Sequence, residues 1–159
     1  MTDTHFEPFL HLADVGPDRA LVTWGGFWFH RGGPAERWSI VDDERLKDVD
    51  PGRQESIGAR SESYGPAVVE VFDASGALVA SARTDEHNHA WVPGLHPDTD
   101  YRYRVLVDGE EWAAGERWDW GPVDRGGLGL RPGGRSYDTS FRTHPDPGVR
   151  APLDLRRPG

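Results

Sequence analysis

The chain has 159 residues, a mass of 17.7 kDa and a formal net charge of −9, enough for one domain and a poor match to the phosphate backbone of a nucleic acid. It contains no cysteine, so a disulfide framework, a thiolate metal site and a cysteine nucleophile are all excluded. Seven tryptophans accompany 20 glycines and 13 prolines, a mixture that suits short strands joined by turns and differs from the aromatic-poor composition of disordered chains.

The first twenty residues, MTDTHFEPFLHLADVGPDRA, lack a basic start and a continuous apolar core, so no secretion signal is expected. No stretch approaches the roughly 18 apolar residues of a membrane span. A cytoplasmic location with no membrane partner is the corresponding expectation.

Pro8 to Val15 and Ala20 to Trp24 read as two strands around the Gly16-Pro17-Asp18 turn signal. In the second, Ala20, Val22 and Trp24 share a face. Residues 25–64 read as a long insertion. Within it, Trp28, Phe29, His30 and Arg31 lie between the pairs Gly25-Gly26 and Gly32-Gly33. Asp42 or Asp43 is placed to cap a short helix bearing Leu46 and Val49 and ending before Pro51.

Pro66 to Arg83 is the clearest hairpin, with Ala67, Val69 and Val71 on one face and Asp73-Ala74-Ser75-Gly76 as its turn. His89 to Val92 is a further short strand. Tyr101 to Val107 alternates apolar positions with Arg102 and Arg104, and Asp108-Gly109 is a type I′ turn signal. The two arginines are expected to pair across that turn with Glu110 and Glu111. Glu111 to Trp120 reads as one bulged strand, residues 121–135 as a loop, and Ser136 to Thr143 as the closing strand. The pattern is an all-β antiparallel sandwich over residues 6–145, followed by a linker or disordered tail over 146–159.

Leu95 to Val105, L-H-P-D-T-D-Y-R-Y-R-V, resembles the E-to-F corner of fibronectin type III modules. Leu95, Pro97 and Tyr101 take the corner positions and Trp24 the second-strand tryptophan. A tyrosine opening a strand can bury its ring and return its hydroxyl to nearby backbone. The P-F-L and V-T-W strands and the final F-R-T-x-P resemble, further, the N-terminal sandwich of purple-acid-phosphatase-like and PhoD-like metallophosphoesterases. The resemblance implies an immunoglobulin-like, fibronectin type III sandwich with a long insertion after the second strand. It implies an accessory domain alone. The G-D and G-N-H elements of the two-metal enzymes are absent, although Asp3-Thr4-His5 and Asp85-Glu86-His87 have D-x-H spacing.

The candidate sites each have two readings. Trp28, Phe29, His30 and Trp38 form a partner or ligand platform, or plug one end of the sandwich. Trp118 and Trp120, with Trp112, stack on a sugar, dock a domain, or pack in the core. His87 and His89 share a strand face and belong to the best metal-like cluster, Asp85 to His89, with exposed histidines as the plain alternative. No G-x-S-x-G anchors a hydrolase triad, and Gly126-Gly127-Leu128-Gly129 lacks the lysine of a phosphate loop. The reading that results is a non-catalytic accessory domain whose partner is a protein domain, in cis a C-terminal metallophosphoesterase. A free-standing glycan-binding module is the alternative. No catalytic residue, metal or cofactor is assigned, and whether a longer parent is an enzyme is open.

Overall fold

A computed structural model describes residues 3–40, 63–122 and 127–147. The helix expected between Asp42 and Pro51, and the tail beyond residue 147, lie outside them. The described residues form eleven strands: β1 (Asp3–Val15), β2 (Ala20–Arg31), β3 (Ser39–Ile40), β4 (Ala67–Phe72), β5 (Leu78–Thr84), β6 (His89–Val92), β7 (Asp100–Val107), β8 (Glu110–Glu111), β9 (Arg117–Pro122), β10 (Leu128–Arg135) and β11 (Ser140–Arg142).

All pairings among these strands are antiparallel. In one sheet β2 pairs with β1 along one edge, and with β6 and β3 along the other. A second sheet runs β11-β7-β4-β5, with β8 beside the end of β7. The two strands β9 and β10 form a separate hairpin. The fold is all-β and of sandwich type.

Period-2 alternation builds the core between the two large sheets. Leu10, Ala20, Val22, Trp24 and Val92 enter it from the first sheet, and Ala67, Val69, Val71, Tyr101, Tyr103, Val105 and Val107 from the second. Arg102 and Arg104 point out of the second sheet, yet neither pairs with Glu110 or Glu111. The register places Arg104 opposite Glu70 of β4, and its Nε lies 2.7 Å from Glu70 Oε1. Glu110 and Glu111 instead face Val107 and Leu106. The turn between β7 and β8 is short, so the glutamates pair with the end of β7, beyond the arginines. Asp108 and Gly109 both have positive φ, 51° and 81°, as a type I′ turn requires.

The corner before β7 is closed by side chains. Tyr101 is 4% exposed and its hydroxyl accepts a hydrogen bond from His96 N at 2.8 Å. Buried Thr143 completes the arch. Its Oγ1 donates to His96 O at 2.6 Å and accepts from Thr99 N at 3.0 Å. Leu95 is buried at the base of the corner, Pro97 is exposed on it, and Trp24 lies in the core.

Residues 25–31 differ from the expected insertion. They continue β2, and β1 begins at Asp3, so the two strands pair from Asp3↔Arg31 to Val15↔Ala20. Gly25 and Gly26, where the expected insertion begins, make room for rings. A Cβ on Gly25 would lie 2.7 Å from Phe9 Cζ, and one on Gly26 would overlap the Phe6 ring. Phenylalanine rings laid across strand glycines offset the flexibility that glycine brings.

Residues 121–135 also differ from the expected loop. Gly121 and Pro122 end β9, and Leu128 to Arg135 form β10 against it. The pairing is backbone to backbone, with Gly129 opposite Gly121 and Leu130 opposite Trp120. Pro132 is tolerated because the register shifts between it and Arg135. The single strand expected from Glu111 to Trp120 is likewise two, β8 and β9, parted by a turn in which Ala113 has φ 55°.

Candidate functional site

The long β1–β2 hairpin has two faces. On the inner face, beyond the main core, Phe6 meets Trp28, Tyr64 and Trp112 with ring centroids 5.1, 6.1 and 5.7 Å away. Trp112 Nε1 donates to Gly25 O at 2.9 Å. These rings plug one end of the sandwich.

The outer face carries His5, Glu7, Phe9, Phe27 and Phe29, and the β9–β10 hairpin lies across its far half. Phe29 is wholly buried and sits under Trp120 at 5.4 Å. Phe27 touches the same indole at 5.7 Å and Phe9 at 5.5 Å. His5 stacks on Trp118, with centroids 4.1 Å apart and planes inclined by 28°. Trp38 bonds through its backbone to Leu128 of β10, N to O at 3.1 Å and O to N at 2.8 Å. Arg31 lies over the Trp38 ring at 4.4 Å and pairs with Asp3 at 2.7 Å.

Glu7 binds this layer together. It is 3% exposed. One carboxylate oxygen lies 3.0 Å from His5 Nε2, and the other accepts from Trp118 N at 2.9 Å. A carboxylate this enclosed is tolerable because both oxygens have partners. A cleft of about 270 Å³ opens beside it, lined by His5, Glu7, Glu111, Glu116, Trp118 and Tyr137 among others. Tyr137 is half-buried with Arg117 over its ring at 4.8 Å. Burial first, and then the Glu7 charge, raise its phenol above the ordinary tyrosine value, against the pull of Arg117.

The residues singled out in the sequence are thus divided. Phe29, Trp38, Trp118 and Trp120 are brought into the outer layer, while Trp28 is on the opposite face of the same strand. His30, half-buried, shares that opposite face with Trp28. Phe29 is wholly buried under Trp120, which fits the packing one of its two readings. What does reach the surface is Phe27 at 40% and Trp120 at 42%, in contact with each other and next to half-buried Phe9. A second cleft of about 470 Å³ includes Trp120, Asp119, Pro122, Leu130 and Arg131 in its lining.

Glu7, Phe9, Phe27 and Tyr137 are not among the residues singled out in the sequence, and His5 enters there only through the D-x-H spacing of Asp3-Thr4-His5. The signal for His5, Glu7 and Phe9 is the alternation H-x-E-x-F, which puts them on one strand face once β1 is extended back to Asp3. His87 and His89 stack on each other with centroids 5.1 Å apart, both exposed. Among the described residues no group of three or more His, Asp or Glu is placed to hold a metal ion.

None of the protein-family models, curated proteins or solved structures compared with the chain matches it.

Proposed function

We propose that this chain is a non-catalytic accessory domain of fibronectin type III character that docks onto a partner protein domain, as the N-terminal sandwich of metallophosphoesterases does. The observation that carries the docking reading is the exposed aromatic row Phe9, Phe27 and Trp120. Its rings touch in sequence at 5.5 and 5.7 Å, and two of them are about two-fifths exposed. Contiguous exposed aromatic surface on a rigid layer is the usual anchor of a protein contact. The fibronectin type III character is supported by strand order. Strands β1, β2 and β6 face β11, β7, β4 and β5, and Tyr101 closes the corner between layers. Parallel support for a metallophosphoesterase partner is the sequence resemblance alone, and the cytoplasmic placement belongs to the same proposal.

The test mixes the chain with metallophosphoesterase catalytic domains from its source genome and reads complex formation by sedimentation. A complex weakened tenfold or more by Trp120→Ala, the loss of one buried aromatic anchor of about 2 kcal/mol, supports the reading. A complex indifferent to Trp120 and Phe27, or none at all, removes it.

A glycan-binding module is the second reading, favoured by Trp120 standing at a cleft that also includes Asp119 and Arg131. A flat ring beside planar polar groups suits a sugar face. Titration with oligosaccharides should then shift tryptophan emission, and Trp120→Phe should abolish most of the shift. An unchanged spectrum rejects it.

A further inference from the structure

Strand β5 ends the second sheet. It pairs with β4 on one side, and among the described residues no strand pairs with the other. Ala77 to Ala82 reads A-L-V-A-S-A, with no charge, proline or glycine. Leu78 is 53% exposed and Val79 45%, where a register shift interrupts the alternation of the strand. Edge strands are ordinarily blunted by charges, prolines, bulges or a cover, because an open row of backbone groups templates pairing. The outer strand of the first sheet has such devices, with Asp3, Glu7, Pro8 and Asp14 on β1. On β5 the register shifts between Leu78 and Ala80, opposite Phe72 and Val71, so Val79 is a bulge at the turn end, while Ala80 to Thr84 pair regularly with β4.

We propose that β5 pairs antiparallel with the β5 strand of a second copy, making one continuous sheet across two chains. A two-fold contact must be self-complementary. Centring the pair on Ala80 places Leu78 opposite the partner's Ala82, so the uncharged run meets itself. Arg83, the one cation on β5, then falls opposite the partner's Ala77. In each chain the Asp73 carboxylate stands beside Ala77, 3.1 Å from its backbone N. Hydrogen bonds from the Ser75 side chain and the Ala77 amide hold that carboxylate below its usual value. In the single chain Arg83 Nε lies 3.3 Å from Asp85 Oδ1, with both side chains largely exposed, and on pairing the same guanidinium also comes near the partner's Asp73, twice by symmetry, around an apolar centre. That charge complementarity selects a second copy over an extended peptide of unrelated sequence. The net charge of −9 on each chain opposes the approach, so the dimer is weak and depends on concentration.

The experiment is sedimentation of the intact chain over a concentration series, with hydrogen exchange read at low and high concentration. The expected result is a mass that rises toward twice the monomer's, with slowed exchange confined to Ala77–Thr84. Val79→Lys introduces the charge that natural edges use, and Arg83→Glu turns the end contacts repulsive. Each is expected to weaken association roughly tenfold or more. Circular dichroism checks that each variant remains folded. If Val79→Lys does not fold, Arg83→Glu and the exchange pattern decide. A monomer at every concentration overturns the proposal, as does a dimer that ignores both substitutions or protects another strand.

Discussion

At the level of single side chains, the corner before β7 depends on two hydroxyls. Tyr101 Oη receives the His96 amide and Thr143 Oγ1 serves both His96 and Thr99. Tyr101→Phe keeps the ring, which packs on Phe141 at 5.6 Å, but leaves a partly buried N–H without its acceptor. A loss of about 1–2 kcal/mol in chemical denaturation is expected. Thr143→Val, at a site 2% exposed, removes a donor and an acceptor at once and should cost at least as much. Tyr103 gives a pH signature. Burial, with the nearby Asp138 charge, pushes its phenol from 10.0 up to about 12. The folded state therefore keeps a proton that the unfolded state releases first, and stability falls as pH rises from about 10 to about 12. Below that window its contribution is fully present. Tyr103→Phe should flatten this alkaline decline in a series of melts, and an unchanged decline would assign it to other groups.

Among elements, the β9–β10 hairpin is held onto β1 by one carboxylate and a set of rings. Glu7→Ala strips the Trp118 amide of its acceptor and leaves His5 without its partner. A loss of roughly 2–3 kcal/mol is expected. Hydrogen exchange should quicken across β9 and β10 while β4 and β7 stay protected, since the main core does not involve Glu7. Gly26→Ala tests the other support of the long hairpin. The added methyl overlaps the Phe6 ring, and overpacking of this kind costs about 1–3 kcal/mol. The β4–β5 hairpin was legible in the sequence because alternation and turn chemistry agree there. Val69 and Val71 share the buried face, and Asp73 Oδ1 accepts from Ser75 N at 2.9 Å as an Asx turn does. The far half of β1–β2 was not legible. Gly25-Gly26 carries the local mark of a break, and only rings distant in sequence, Phe9 and Phe6 on the paired strand, convert it to strand. The β9–β10 hairpin was hidden for a similar reason. Its glycines and Pro132 have weak strand preference, and the layer beneath stabilises it. In the candidate site, Trp118 and Trp120 were visible as unusual residues. The acid that anchors them was invisible until His5 and Glu7 were known to lie on a strand.

For the molecule as a whole, the described residues offer aromatic surface and no metal cage. Excess chelator should leave the melting temperature within error, and His87→Ala with His89→Ala should do the same. A drop of several degrees on chelation would reveal a bound ion that stabilises the fold by mass action. The two layers above and below β1–β2 share the same pair of strands, and that sharing has a consequence for misfolding. Their alignment is a single setting for both. Sliding one strand by a residue would swing Leu10 out of the sandwich while driving Phe9 into it, and in the same movement carry Glu7 away from the Trp118 amide. Neither compartment can be misassembled alone, so errors in pairing are penalised twice.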